Sequence, residues 1–177
     1  MGVFDFFKRK KANAAEDAGP SADYIMAHYA FRQLALDSPL QMLSLLVSPD
    51  AKNFFAELLQ DVEKQLGQKA TYRSEQIQIH PTRIGDYPCA IVEFPEPQKM
   101  AEAYMVALVA LFSADEEMPK DLSSIQGRYY TLEKGFALDG QDRTVLCEWD
   151  QTSHKNYGDG PEPTPAAFAA ALESALK

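Results

Sequence analysis

Ala103-Tyr104-Met105-Val106-Ala107-Leu108-Val109-Ala110-Leu111-Phe112 is the longest uninterrupted apolar run in the chain, and its reading decides the fold. Both faces of such a segment are apolar, so neither the two-residue period of a half-buried strand nor the 3.6-residue period of an amphipathic helix shows in it. Its ten residues fall short of the roughly 18 to 20 that a bilayer-spanning helix needs. The Ala and Met content suits a buried helix, but the segments on either side read as strands, and on that ground a central strand is expected.

Upstream, Ile77 and Ile79 alternate with Gln76, Gln78 and His80. Gly85-Asp86 then supplies a turn, and Pro88 to Phe94 returns as a hairpin partner closed by Pro95 and Pro97. Downstream, Asp115-Glu116-Glu117-Met118-Pro119 reads as a loop or short turn. Tyr129 to Glu133 leads through Phe136 and Leu138 to Asp139-Gly140, the signature of a type I′ hairpin turn, and Thr144 to Trp149 returns.

Helices flank the strands, and Ser or Thr before Pro recurs at their starts. Ser21 is the expected N-cap of a helix to about Leu36, with Ile25, Tyr29 and Arg32 on one stripe and Tyr24, His28 and Phe31 on the next. Ser38-Pro39 opens a short second helix, with Gln41 completing a capping-box pattern. Ser48-Pro49 opens a third, which carries Phe54, Phe55, Leu58, Leu59, Val62 and Leu66 at helical spacing and stops at Gly67. Thr164-Pro165 caps a final Ala-rich helix with Phe168, Leu172 and Leu176 on one stripe. Three helices, about five strands and one helix predict an α+β domain of two layers, a mainly antiparallel sheet with helices packed on one face.

The chain of 177 residues suffices for one such domain, expected over residues 21–177, with a real core and no staples. Residues 1–20 form a separate element. Val3, Phe4, Phe6 and Phe7 stand beside Lys8, Arg9, Lys10 and Lys11, followed by a linker of small and polar residues at 12–20. Residues 1–12 hold four basic and one acidic side chain, a net +3, whereas residues 13–177 hold 13 basic and 25 acidic, a net −12. The chain total of −9 argues against nucleic-acid binding, which needs a surplus of Lys and Arg. The aromatic and basic tail has the composition of a weak peripheral membrane contact, and the plainer reading is a frayed terminus whose aromatics dock on the domain's own surface.

Two cysteines, Cys89 and Cys147, outside any C-x-x-C pair, suit a reducing cytosol, and the tail has the reverse order of a secretory signal. No phosphate loop, H-E-x-x-H, G-x-S-x-G or EF-hand loop occurs, so no cofactor or metal is expected. His28 is expected to pack in the first helix and His80 to be exposed. A zinc set of His80, Cys147 and His154 lacks ligand spacing. Glu93, Glu133 and Glu148 make paired carboxylates only if neighbouring strands present two of them on one face.

The segment after the last strand draws most interest as a ligand or partner site, with Trp149, Asp150, His154, Asn156, Tyr157 and Asp159 as its candidates. The plainer reading is a turn cluster in which Asn156 and Asp159 bond backbone. No catalytic constellation accompanies the acidic body. The leading expectation is therefore a cytoplasmic, non-catalytic accessory domain that binds a protein partner through an acidic surface. Alternatives are a small hydrolase or ligand-binding enzyme with its site at Asp150, His154 and Tyr157, and a peripheral membrane protein recruited by Phe4, Phe6 and Phe7.

Overall fold

The fold was determined as a computed structural model, which describes residues 22–70, 73–94, 103–136, 142–148, 154–156 and 164–177. The expected N-cap Ser21, the turn residues Asp139 and Gly140, and the linker at 12–20 lie outside the described residues.

Helices α1 (Ala22–Asp37), α2 (Pro39–Leu46) and α3 (Ala51–Leu66) precede strands β1 (Gln78–Ile84), β2 (Tyr87–Glu93), β3 (Ala103–Ala110), β4 (Gly127–Phe136), β5 (Asp142–Glu148) and β6 (His154–Asn156). Helix α4 (Pro165–Ala175) follows. Each strand pairs antiparallel with its successor in the order β1-β2-β3-β4-β5-β6, a six-stranded meander, and the fold is α+β. The apolar run at 103–112 supplies β3, and every residue from Met105 to Ala110 is buried.

That double burial corrects the two-layer expectation. On one face Ala90, Val92, Val106, Leu108, Ala110 and Tyr129 pack with Phe31, Leu43, Phe55 and Leu59 of the first three helices. On the other, Cys89, Ile91, Met105, Ala107, Val109, Tyr130 and Leu132 pack with Phe168, Ala171 and Leu172 of α4. A sheet buried on both sides must be apolar in both parities of its strands, and here the helices form two outer layers around it. The expected five strands become six because residues 154–156 pair with the outer edge of β5, a position that would otherwise expose unpaired backbone groups.

The Ser/Thr-Pro signals differ in what they do. At Thr164 the hydroxyl oxygen accepts the Ala167 N–H at 3.2 Å, an N-cap as expected. At Ser38 the side chain makes no backbone cap bond, and its hydroxyl instead donates to Gln41 Oε1 at 2.9 Å, so the capping box is replaced by a side-chain pair. At Ser48 the helix does not start at all. Ser48 Oγ donates to the Leu45 carbonyl at 2.7 Å and accepts the Asp50 N–H at 3.2 Å, which turns the chain so that α3 begins at Ala51. Gly67 ends α3 at φ +66°, where its N–H donates to the Glu63 carbonyl at 2.8 Å.

Helix α1 departs from its expected stripe. Phe31, Ala35 and Ala27 are fully buried with His28 and Arg32 beside them, while Tyr29 is 40% exposed. Two residues along a helix turn it by about 160° on the short side, so the surface that buries Phe31 sends Tyr29 to solvent. Phe31 lies at the centre of an aromatic cluster, with ring centroids 5.5 Å from Phe55, 5.9 Å from Tyr129 and 6.2 Å from Phe94. No helix among the described residues is long and apolar enough to cross a membrane.

Candidate functional site

The connection from β3 to β4 builds a groove at one end of the sheet. Phe112 and Ile125, at its two ends, are 9% and 7% exposed and belong to the core beneath the first three helices. The Leu111 N–H donates to the Gln126 carbonyl at 2.8 Å, which draws the two ends together. Between them the loop is held by its own polar groups. The Glu116 N–H donates to the Ser113 carbonyl at 3.0 Å, and the Ser124 hydroxyl to the Asp121 carbonyl at 2.7 Å. Asp121 caps the turn Leu122–Ser124 by accepting from both the N–H and the hydroxyl of Ser123, at 3.0 and 2.7 Å. These two bonds, the hydroxyl first, hold the Asp121 carboxyl below its usual range, so it stays charged.

The groove has a volume of about 340 Å³, within the range of small-ligand and side-chain pockets. Leu111, Phe112, Pro119 and Ile125 line it together with Glu116, Glu117, Ser124 and Gln126, and it is an open groove whose accessible surface is more polar than apolar. Asp115, Glu116, Glu117 and Asp121 against Lys120 give residues 113–126 a net charge of −3, and all five side chains are exposed. Met118 on the same loop is 57% exposed. Chemically the groove offers room for an apolar side chain beside carboxylates that can accept hydrogen bonds from Lys or Arg.

Helix α2 packs behind the groove without lining it. It packs on the Leu122–Ser124 turn, and Pro39 at its first position lies against Gly127, the residue after Gln126. A Cβ built on Gly127 would stand 2.4 Å from Pro39 Cγ and 2.8 Å from Pro39 Cβ. Only a glycine permits this approach of helix to strand.

The residues singled out in the sequence fall elsewhere. His154 and Asn156 form part of β6 rather than a loop, paired in register with Cys147 and Val145, because the open edge of β5 offers them backbone partners. Trp149, Asp150, Tyr157 and Asp159 lie outside the described residues, as do Phe4, Phe6, Phe7, Lys8, Arg9, Lys10 and Lys11. The zinc set cannot assemble: His80 is on β1 and Cys147 and His154 are on β5 and β6, at opposite edges of a sheet about 24 Å wide at the usual strand spacing. Among the described residues no group of three His, Cys, Asp or Glu could hold a metal.

The three glutamates do not pair either. Glu133 is opposite Val145 and Glu148 opposite Tyr130, positions of opposite parity in the pleat, and Glu93 on β2 is three strands from β5. His80 is half-buried rather than exposed, because its Nε2 is in hydrogen-bond contact with Glu93 Oε2 across the β1–β2 ladder. That pair sits at the far end of β3 from the groove. His28 packs as expected, with its ring centroid 4.2 Å from that of Phe94, and burial pushes its pKa down to about 3.

In the sequence the groove shows only as a loop. Its available signal was an acidic run at 115–117, followed by Met118-Pro119, between the apolar anchors Leu111-Phe112 and Ile125. Neither a protein family, nor a curated protein, nor a solved structure matches the chain.

Proposed function

We propose that the chain is a cytosolic, non-catalytic accessory protein that holds a protein partner in the groove between β3 and β4. The partner segment carries an aromatic or aliphatic side chain flanked by Lys or Arg. What carries the reading is the joining, in one open groove, of the acids Glu116 and Glu117 with the apolar side chains Leu111, Phe112, Pro119 and Ile125. The apolar side chain supplies affinity and the carboxylates supply selectivity and encounter rate. Ser124, the one hydroxyl lining the groove, is engaged as a donor to the backbone of Asp121, which suits binding better than nucleophilic chemistry. A cytosolic setting is supported by Cys89, buried as an unpaired thiol whose pKa burial pushes up to about 12.

Fluorescence anisotropy with a labelled Lys-Lys-Phe-Lys-Phe-Lys-Lys peptide and the full chain tests the reading. Saturable binding is expected, lost in about 1 M salt, where the screening length falls to about 3 Å. It should also be lost in the Glu116→Lys/Glu117→Lys variant, which takes residues 113–126 from a net −3 to +1. Equal affinity in the charge-reversed variant would refute it.

A further inference from the structure

We infer that helix α1 is an acid-released latch, which lifts off the sheet as a unit while the strands stay paired, with His28 as its trigger. The inside and outside of this helix are partly exchanged. Helix α3 buries only apolar side chains, Ala51, Phe55, Leu58, Leu59 and Val62. Helix α1 instead buries Asp23, His28 and Arg32, which are 1%, 9% and 8% exposed, and leaves Tyr29 and Leu34 at 40% and 44%. Docking α1 therefore withdraws three polar side chains from water, which offsets part of the gain made by Met26, Ala27, Phe31 and Ala35. On release those three regain water, while Tyr29 and Leu34 have little burial to lose.

The joint permits such a movement. Helix α1 lends no strand to the sheet and meets α2 at the single residue Ser38, whose backbone at φ −151° and ψ 79° lies outside the helical range. An element docked by side-chain packing can open separately from strands held in backbone ladders on both sides.

His28 couples the opening to pH. Its ring lies against Phe94 with centroids 4.2 Å apart, and burial keeps it neutral by pushing its pKa down to about 3. Along α1 its ionisable neighbours are Arg32, one turn on, and Asp23, five residues back. On β4 the positions of helix-facing parity carry Tyr129, Thr131 and Glu133, and on β2 the helix-facing Ala90 and Val92 bear no charge. Helix α2 has no charged residue. On α3 the side chains of Lys52, Glu57, Asp61 and Lys64 are exposed, and Glu63 is engaged by the Ala70 N–H and Lys69. In the released helix the imidazole titrates at its ordinary 6.5, so between pH 7 and 5 the open form takes up a proton that the docked form refuses. The opening constant rises accordingly as pH falls, by about 25-fold over that interval.

Hydrogen exchange of the full chain at pH 7 and pH 5, read by NMR and converted to opening constants at single amides, tests the latch. The amides of Ala27, Phe31 and Ala35 should open at least about tenfold more often than those of Met105, Leu108 and Tyr130 at both pH values. Their opening constant should rise about 25-fold from pH 7 to pH 5 in the natural chain and by less than about twofold in His28→Gln. Should the glutamine chain fail to fold, His28→Leu fills the same site without a titrating group and should give the same flat profile. Helix and strand amides that open together at both pH values mean that α1 leaves only with the whole domain, which overturns the latch. An opening constant equal at pH 7 and pH 5 in the natural chain, or a rise that persists without His28, overturns it as well.

Discussion

Replacing Gly127 by Ala tests the packing of α2 behind the groove, because two effects of opposite sign compete there. Alanine in a strand is favoured over glycine by about 0.5 to 1 kcal/mol, since it has less backbone freedom to lose. Against this, the new Cβ would stand 2.4 and 2.8 Å from two atoms of the Pro39 ring, with Leu36 Cδ2 at 3.5 Å. Carbon atoms rest at about 3.5 to 4 Å, so the ring must retreat by about 1 Å. A proline ring fixed at the first turn of a helix cannot rotate away, so α2 itself must move. Overpacking of this kind costs about 1 to 3 kcal/mol, which on balance exceeds the entropic gain and leaves a net loss of about 1 kcal/mol, with about 2.5 as an upper figure. Urea unfolding followed by circular dichroism reads it as a lower midpoint at unchanged slope. The Gly127→Ala/Pro39→Ala double variant should recover part of the loss. Because α2 packs on the Leu122–Ser124 turn, the single variant should also weaken peptide binding. A Gly127→Ala chain more stable than the natural one would refute the close approach of Pro39 to Gly127.

Further outcomes follow from other sites. His28 has a folded pKa near 3 against 6.5 when unfolded, so the unfolded chain gains a proton first as pH falls. Stability from this residue is full above pH 6.5 and is lost between 6.5 and about 3, at about 1.4 kcal/mol per pH unit. His28→Gln should therefore show a shallower loss than the natural chain between neutral and moderately acid pH in urea titrations. Thr164→Ala removes a cap bond and should cost about 1 kcal/mol, whereas Ser38→Ala, where no backbone cap exists, should cost less than about 0.5, both by thermal denaturation. Cys89, buried with its thiol pushed up to about 12, should resist iodoacetamide in the folded chain and label only in urea, as read by peptide mass mapping.

Much of the fold is legible in the sequence because it rests on local chemistry. Gly85-Asp86 between alternating residues forms the β1–β2 turn, with Gly85 at φ +60°. Gly67 and Thr164 do what their types predict, since a left-handed cap and a hydroxyl cap need only adjacent backbone. The third layer was also written in the chain: β3 is apolar in both parities, a pattern that requires cover on both faces, and α4 provides it. Ser48 misleads because Ser-Pro-Asp serves a turn as well as a cap, and its hydroxyl bonds back to Leu45. The groove is less legible for a different reason. Its walls, Leu111 and Phe112 on one side and Ile125 and Gln126 on the other, are far apart in the chain and meet only because β3 and β4 pair. His154 stands out in the sequence for its chemistry, but its position in β6 follows from an edge that only the assembled sheet possesses.

Amide chemical-shift mapping of the labelled full chain, titrated with the Lys-Lys-Phe-Lys-Phe-Lys-Lys peptide, tests the central claim most directly. The account predicts shifts concentrated at Leu111, Glu116, Glu117, Ser124, Ile125 and Gln126, and absent in the Glu116→Lys/Glu117→Lys chain. Shifts centred instead on the β1–β2 hairpin or on β6, or none at peptide concentrations of several millimolar, would contradict it.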